Sequence, residues 1–232
     1  MPLLTVIIPV YNEVNTLKSI LEKVNSVDLD KEIIVVDDGS SDGTRKLLGE
    51  IKSDSMKIIY HAKNKGKGAS FLTGLANAKG EFVIPQDADL EYDPQDHVAL
   101  VDYALKNNLA AVYGSRFLKT WRCTYLWHYL VNRFLTIFTN ILFGSSLTDM
   151  ETCYKLIRLD LVRGLDLQSS GFEIEAEITG KLLKKGHKIA EIPISYKPRF
   201  GDQGKKIGWK DGVSTLLCLI KLRLKNDQNH KP

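Results

Sequence analysis

Five apolar, β-branched runs recur through the first half of this chain: Leu4-Thr-Val-Ile-Ile-Pro-Val10, Glu32-Ile-Ile-Val-Val36, Lys57-Ile-Ile-Tyr60, Glu81-Phe-Val-Ile84 and Ala110-Ala-Val-Tyr113. Runs that stay apolar at successive positions, rather than alternating with polar residues, fit strands covered on both faces. Between them lie stretches with helical spacing: Leu17, Ile20, Leu21 and Val24; then Leu47, Leu48 and Ile51; then Leu72, Leu75 and Ala76. Strand and helix in alternation predict an α/β fold built on a parallel sheet. Asp42 or Ser41 is placed to cap the second helix, and Gly80 to close the third.

Open parallel sheets gather ligands beyond the carboxyl ends of their strands. Tyr11-Asn-Glu13 follows the first strand, Asp37 to Thr44 the second, Asn64-Lys-Gly-Lys-Gly68 the third and Asp87-Ala-Asp89 the fourth. Asp87, Asp89 and Glu91 alternate, so extended or turning backbone points three hard oxygen ligands to one side, a set suited to Mg²⁺ or Mn²⁺. Taken alone, so short a motif also recurs in loops whose acids are solvated; its shared location with three other loop motifs favours the metal. Asp37 or Asp38 can accept hydrogen bonds from a nucleobase or ribose, and the same Asp-Asp-Gly-Ser-Ser-Asp-Gly also satisfies turn and cap chemistry. Lys63, Lys65 and Lys67 make a cationic glycine loop that either approaches a phosphate or is solvated; it lacks the Gly-Lys-Ser/Thr ending of a P-loop. Arg199 and Lys205, in the glycine-containing segment Lys197 to Lys206, either clamp diphosphate oxygens, to which they are suited, or belong to a solvated loop.

At 232 residues and 44% hydrophobic composition the chain supports one compact unit with appendages. A net charge of +4 favours anionic ligands or membrane surfaces and does not single out nucleic acid. Cys123, Cys153 and Cys218 match no zinc or redox spacing and read as reduced thiols; with no signal sequence evident, a cytoplasmic setting is expected. Cys123 to Phe143 is the most apolar long stretch, but His128, Asn132, Arg133 and Asn140 interrupt it, so it is not expected to cross a bilayer. Leu126, Leu130, Phe134, Ile137, Phe138, Ile141 and Leu142 form one helical stripe, with Asn132, Arg133, Thr136, Thr139 and Asn140 opposite. Such a helix either packs its stripe on the core or lies in a membrane interface. The same choice attends Val213 to Leu224. A strand over Tyr154 to Arg158, a helix over Phe172 to Lys185 and an extended segment over Lys188 to Tyr196 complete the expectation.

Ile8-Pro-Val-Tyr-Asn-Glu13, Val35-Val-Asp-Asp-Gly-Ser-Ser-Asp-Gly-Thr44, Asn64-Lys-Gly-Lys-Gly68, Asp87-Ala-Asp89, Gly114-Ser-Arg116, Thr148-Asp149 and the Arg199 to Lys206 loop together resemble the family 2 glycosyltransferases, in the branch that glycosylates polyprenyl phosphates. The likeness runs from Leu4 to about Asp211. It implies a GT-A, Rossmann-like fold with a mostly parallel sheet over residues 1–211, including an amphipathic interfacial stretch at about 121–143, followed by an amphipathic helix and tail over 212–232.

The resemblance also implies a nucleotide-sugar donor whose diphosphate is bridged by the divalent ion to Asp87, Asp89 and Glu91. Pro9, Tyr11, Glu13, Asp38 and the neighbouring Asp37 would line the nucleoside pocket, with Lys65 and Ala88 beside the donor. The implied acceptor is a polyprenyl monophosphate, met at the cytoplasmic membrane face directly or through a membrane-anchored partner, and the implied outcome is inversion at the anomeric carbon. Arg116 and Arg133 would receive that phosphate, while Arg199 and Lys205 would hold both substrates' phosphates. An ionised phosphate needs positioning and charge neutralisation more than a base; were the acceptor a sugar hydroxyl, Asp149 would be the base. Absence of a Gln-X-X-Arg-Trp motif argues against a processive synthase. A transferase acting on saccharide or protein hydroxyls, and a non-catalytic nucleotide-sugar-binding subunit, stand as the alternatives.

Overall fold

The computed structural model describes residues 1–51, 56–118, 126–199 and 208–225. Its centre is a seven-stranded sheet in the order β3-β2-β1-β4-β6-β5-β7. The strands are β1 (Leu4–Val10), β2 (Lys31–Asp37), β3 (Met56–Tyr60), β4 (Phe82–Pro85), β5 (Ala111–Ser115), β6 (Lys155–Arg158) and β7 (Ala190–Pro193). All neighbouring pairs are parallel except those of β6, which runs antiparallel between β4 and β5. The five expected strands, the strand at 154–158 and the extended segment at 188–196 are all present.

The pleat explains why these runs are apolar at every position. Val6 and Ile8 of β1, with Ile33 and Val35 of β2, join one buried cluster. Ile7, Ile34 and Val36 join the other on the opposite face. Helices α1 (Leu17–Asn25) and α4 (Asp96–Lys106) cover the first face, and α3 (Lys67–Asn77), α6 (Leu159–Arg163) and α7 (Ile174–Lys184) the second. The remaining helices are α2 (Thr44–Glu50), α5 (Leu126–Phe143) and α8 (Trp209–Leu224). Helices α4 and α6 were not among the expected elements.

Local capping differs from expectation in two places. Gly43, at φ +105°, is the N-cap of α2, and Asp42 acts from one residue further out, accepting from the Thr44 N–H (3.0 Å) and hydroxyl (2.6 Å). Gly80 does not close α3, which ends at Asn77; its N–H instead donates to Thr5 Oγ1 across the base of β1.

Helix α5 is inverted relative to an ordinary amphipathic helix. Leu135, Thr136 and Thr139 are its buried residues, whereas Leu126, Leu130, Phe134, Ile137 and Ile141 are exposed, Ile141 to 76%. The polar side faces inward because it has work there: Thr136 Oγ1 accepts from the Met150 N–H, Asn140 bonds the backbone of Leu147 twice, and Arg133 donates to the Thr148 carbonyl. Only part of the apolar stripe, Phe138 and Leu142, packs on the small cluster that α5 shares with α7 and α8. Trp121 to Tyr125 lies outside the described residues. The terminal helix begins at Trp209, earlier than the expected boundary at 212, and packs against both α5 and α7. No described helix is long and apolar enough to cross a membrane.

One core residue is out of character. His97 of α4 is fully buried against Tyr154, and neither ring nitrogen has a hydrogen-bond partner. Burial, with a smaller push from Lys31, lowers its pKa to about 3. An unfolded histidine takes a proton near its ordinary 6.5 and the folded one does not, so this contribution is complete above pH 6.5 and is lost as pH falls towards 3. His97→Phe is expected to raise stability by about 1 kcal/mol or more at pH 7.5 and to flatten its decline below pH 6.5, as read from urea unfolding at pH 7.5 and 5.

Candidate functional site

Strand order reverses between β1 and β4, and the loops leaving their carboxyl ends build the site. After β1, Asn12 turns into the left-handed region (φ +54°) and ties to the loop after β2: its N–H donates to Ser40 Oγ, and its Oδ1 accepts from the Ser41 N–H. Glu13 N–H continues the lacing to Thr44 Oγ1. After β4, Leu90 also adopts positive φ (+67°), and the Glu91 N–H closes onto Asp89 Oδ1 (3.1 Å). The Asp87–Glu91 segment is therefore a tight turn, and simple alternation does not set its side-chain directions.

That turn splits the three carboxylates. Asp87 pairs with Lys67 at 2.8 Å, and Lys67 also meets Glu175 at 3.2 Å. Burial alone would lower the Lys67 ammonium, but Asp87 and Glu175 outweigh it and hold its pKa above the usual value. Asp89 accepts from the Arg199 guanidinium (3.1 Å). Glu91 is spent elsewhere, with Oε2 accepting from Tyr196 OH (2.5 Å) and Oε1 from the Arg199 N–H (3.1 Å). Glu91 thus anchors the chain after β7 instead of joining a three-carboxylate metal set, and among the described residues no such set is assembled.

The donor chemistry still suits a divalent cation at Asp87 and Asp89. Burial first, then the charges of Asp87 and Glu91, push Asp89 up to about 7, and a cation between Asp87 and Asp89 would offset both effects. The present counter-charge is Arg199, which also lies 3.5 Å from Glu91 and 3.8 Å from Glu13.

A cavity of about 740 Å³ opens over this turn. Of the expected site residues, Pro9, Tyr11, Glu13, Asp38, Asp87, Ala88, Asp89, Glu91, Arg116 and Arg199 line it. Four described residues of the expected site do not. Asp37 is buried behind the wall, held by Arg45 Nε (2.7 Å) and the Ser40 N–H. Lys65 contributes its backbone N–H to Asp38, while Lys67 is the lysine of that loop that enters the cavity. Arg133 is occupied with the Thr148 carbonyl. Asp149 is fully buried and receives Arg116 through Nε and Nη2, both at 2.7 Å, and through its backbone N–H at 3.0 Å, so it is not free to act as a base. Lys205, with Gly201 and Gly204, lies outside the described residues, as does Cys123.

Asp38 does line the cavity, yet it also builds it. Its carboxylate accepts from the Lys65 and Gly66 N–H groups and bonds the His61 ring, so it shapes the glycine loop. Gly66 (φ +99°) and Gly68 let that loop press against the backbone of residues 169–171. Arg116, fixed from behind by Asp149, stacks between the rings of Phe117 and Tyr196, 5.3 Å from each centroid.

Glu175, Tyr196 and Glu151 are cavity residues that motif reading passed over, and Lys67, read only as one of three loop lysines, is the one that enters the cavity. Position offered one clue: Lys67 opens α3 at the end of a glycine loop. Glu175 and Tyr196 gave no signal, since their approach depends on α7 and β7 docking from far along the chain.

A mostly parallel sheet with an acidic turn at its switch point is the layout of GT-A proteins, and the chain belongs to glycosyltransferase family 2, whose family model matches residues 5–165. It is 30% identical over 212 residues to a dolichol-phosphate mannosyltransferase of Pyrococcus furiosus, covering 88% of this chain and 59% of that protein. It is 28% identical over 209 residues to a polyprenol monophosphomannose synthase of Mycolicibacterium smegmatis, covering 84% and 77%. A Haloferax volcanii low-salt glycan biosynthesis hexosyltransferase is 27% identical over 218 residues, covering 90% of this chain and 52% of that protein. The chain thus spans little more than half the length of the Pyrococcus and Haloferax relatives. Among solved structures, glucosyl-3-phosphoglycerate synthase of Mycobacterium tuberculosis, in complex with Mn²⁺, UDP and phosphoglyceric acid, superposes with a TM-score of 0.75 at 16% identity, over 98% of this chain and 80% of that one. That likeness establishes the GT-A fold.

Proposed function

We propose that this chain transfers a hexose from a nucleoside diphosphate donor to a polyprenyl phosphate, with mannose from GDP-mannose favoured and glucose from UDP-glucose the other donor considered. The observation that carries this reading is continuity. One cavity is lined by the acidic turn, by Arg116 and by a mainly apolar part of α5 and α8, in which Trp127, Val131, Phe134 and Leu216 stand with His128, Asn132 and Asp211. A phosphate attached to a long apolar chain matches that combination of surfaces; a saccharide acceptor leaves the apolar part without a partner. The names of the Pyrococcus and Mycolicibacterium relatives support the same acceptor.

Pro9, Tyr11 and Glu13 would seat the nucleoside, and Asp87 and Asp89 would hold Mg²⁺ or Mn²⁺. Such an ion, when bound, neutralises charge developing on the leaving diphosphate. Arg199 would exchange its carboxylates for diphosphate oxygens, to which its planar fork is suited. Arg116, held rigid by Asp149, would orient the acceptor phosphate for in-line attack with inversion. No base is required, because that phosphate is already ionised. The exposed stripe on α5 would lie in the cytoplasmic membrane interface, leaving the cavity's apolar part open to lipid.

The test is transfer from labelled GDP-mannose or UDP-glucose to a short-chain polyprenyl phosphate with Mn²⁺. A chloroform-soluble sugar product is expected, and its absence with every common donor would sink the proposal. Asp89→Asn is expected to lower kcat/KM at least 100-fold and to abolish any Mn²⁺ dependence of donor binding. Ile137→Glu combined with Ile141→Glu should reduce flotation with anionic vesicles several-fold. The same pair should leave transfer to a water-soluble acceptor analogue within about twofold of wild type. Transfer to a free sugar instead would favour the hydroxyl-acceptor alternative, and tight donor binding without turnover the non-catalytic one.

A further inference from the structure

Glu151 lies in the turn between α5 and β6 and lines the cavity. Its Oε1 is sealed from solvent and has no hydrogen-bond partner. Buried polar atoms in native folds are nearly always paired, and leaving one unpaired costs stability. The neighbouring cations do not fill the gap. Lys155 Nζ donates to the Met150 and Thr152 carbonyls (2.7 and 2.6 Å) and ion-pairs with Glu175 (3.0 Å). Arg116 is committed to Asp149. Lys67 is divided between Asp87 and Glu175.

Position gives the orphan oxygen a meaning. The carboxyl is within electrostatic reach of Lys155, Glu175, Arg116 and Asp149. It lines the same cavity as Asp87, Lys67 and Glu175, at which a donor diphosphate would end, and as Arg116, at which an acceptor phosphate would begin. The group passed between those two phosphates is a hexose, whose hydroxyls are the hydrogen-bond donors that an unpaired carboxylate oxygen lacks.

We infer that Glu151 is a specificity-determining residue that accepts a hydrogen bond from one hydroxyl of the transferred hexose. The inference rests on the proposed transfer reaction and deepens it by assigning the sugar its reader. Burial pushes this carboxyl up to about 7 against the pull of Lys155 and Arg116, so the site carries a cost that a hydroxyl donor would relieve.

Isothermal titration with Mn²⁺ would compare GDP-mannose with GDP, and UDP-glucose with UDP, in wild type, Glu151→Gln and Glu151→Met. The affinity gained from the sugar is expected to fall about tenfold in Glu151→Gln and up to about 100-fold in Glu151→Met, with sugar-free nucleotide binding unchanged. A donor lacking the recognised hydroxyl should lose as much in wild type and nothing further in Glu151→Met, which assigns the hydroxyl. Thermal melting should show neither variant less stable than wild type, since the lost oxygen has no partner; a purely structural residue would behave in the opposite way. An unchanged sugar increment in folded Glu151→Met overturns the inference while leaving the transfer reaction standing. Lost turnover with unchanged donor affinity also overturns it, and makes Glu151 the base for a hydroxyl acceptor. Failure of wild type to bind either nucleotide sugar overturns the transfer reading and this inference together.

Discussion

Asp149→Ala is expected to lower the free energy of unfolding by about 3–5 kcal/mol, because it strands the Arg116 guanidinium in a buried site. Asp149 is completely buried, and only a tenth of the Arg116 side chain reaches solvent. Water therefore cannot replace the three hydrogen bonds that the carboxylate supplies. For a chain of this size the loss corresponds to a fall in melting temperature on the order of 10 °C, readable by calorimetry or circular dichroism. Activity should fall with it, since Arg116 would lose both its countercharge and its orientation. Asp149→Asn consequently cannot separate phosphate from hydroxyl acceptors, because a lost base and a displaced Arg116 would give the same loss of activity. That distinction passes to Glu151, which lines the cavity as Asp149 does not.

Gly66→Ala is expected to cost roughly 2–5 kcal/mol, combining a left-handed backbone that alanine resists with a collision that cannot be relieved by rotating a side chain. The added methyl would run into the carbonyl oxygen of Ser170, which is backbone, and φ at this position is +99°. Because Gly66 also lines the cavity and its N–H bonds Asp38, donor affinity should fall more than tenfold even in the fraction that remains folded. Urea unfolding and GDP titration of the same preparation separate the two effects. Gly49, where an added Cβ meets nothing within 4 Å, serves as the control, and Gly49→Ala should match wild type or exceed it slightly.

Much of this architecture could be read before any coordinates. Strand runs are legible because the two faces of a covered sheet both demand apolar residues, as Ile33 to Val36 show by dividing between the two clusters. The loop motifs were legible because parallel strands deliver their ends to one edge. What could not be read was the division of labour among like residues standing side by side. Asp37 and Asp38 are adjacent and both buried, yet opposite directions of the pleat give one to Arg45 and the other to the glycine loop. Lys65 and Lys67 differ only in that the second is the first residue of α3 and turns inward. Glu91 matched the carboxylate spacing, but the left-handed turn at Leu90 hands it to Tyr196, more than a hundred residues away. Such choices are set by partners that arrive from distant sequence, and periodicity carries no record of them.

The inverted helix has a consequence for anyone who engineers this protein. Its pattern of mutational tolerance should be the reverse of a normal surface helix: Thr136 and Asn140, polar and inward, hold Met150 and Leu147 in place and admit no aliphatic substitute, whereas Leu130, Ile137 and Ile141 accept any aliphatic exchange. If α5 lies in a membrane interface as proposed, routine resurfacing, in which exposed leucines and isoleucines become lysine or glutamate to improve handling, would yield a protein that is better behaved in a tube and deprived of its landing gear. Soluble yield is therefore the wrong quantity to optimise along α5.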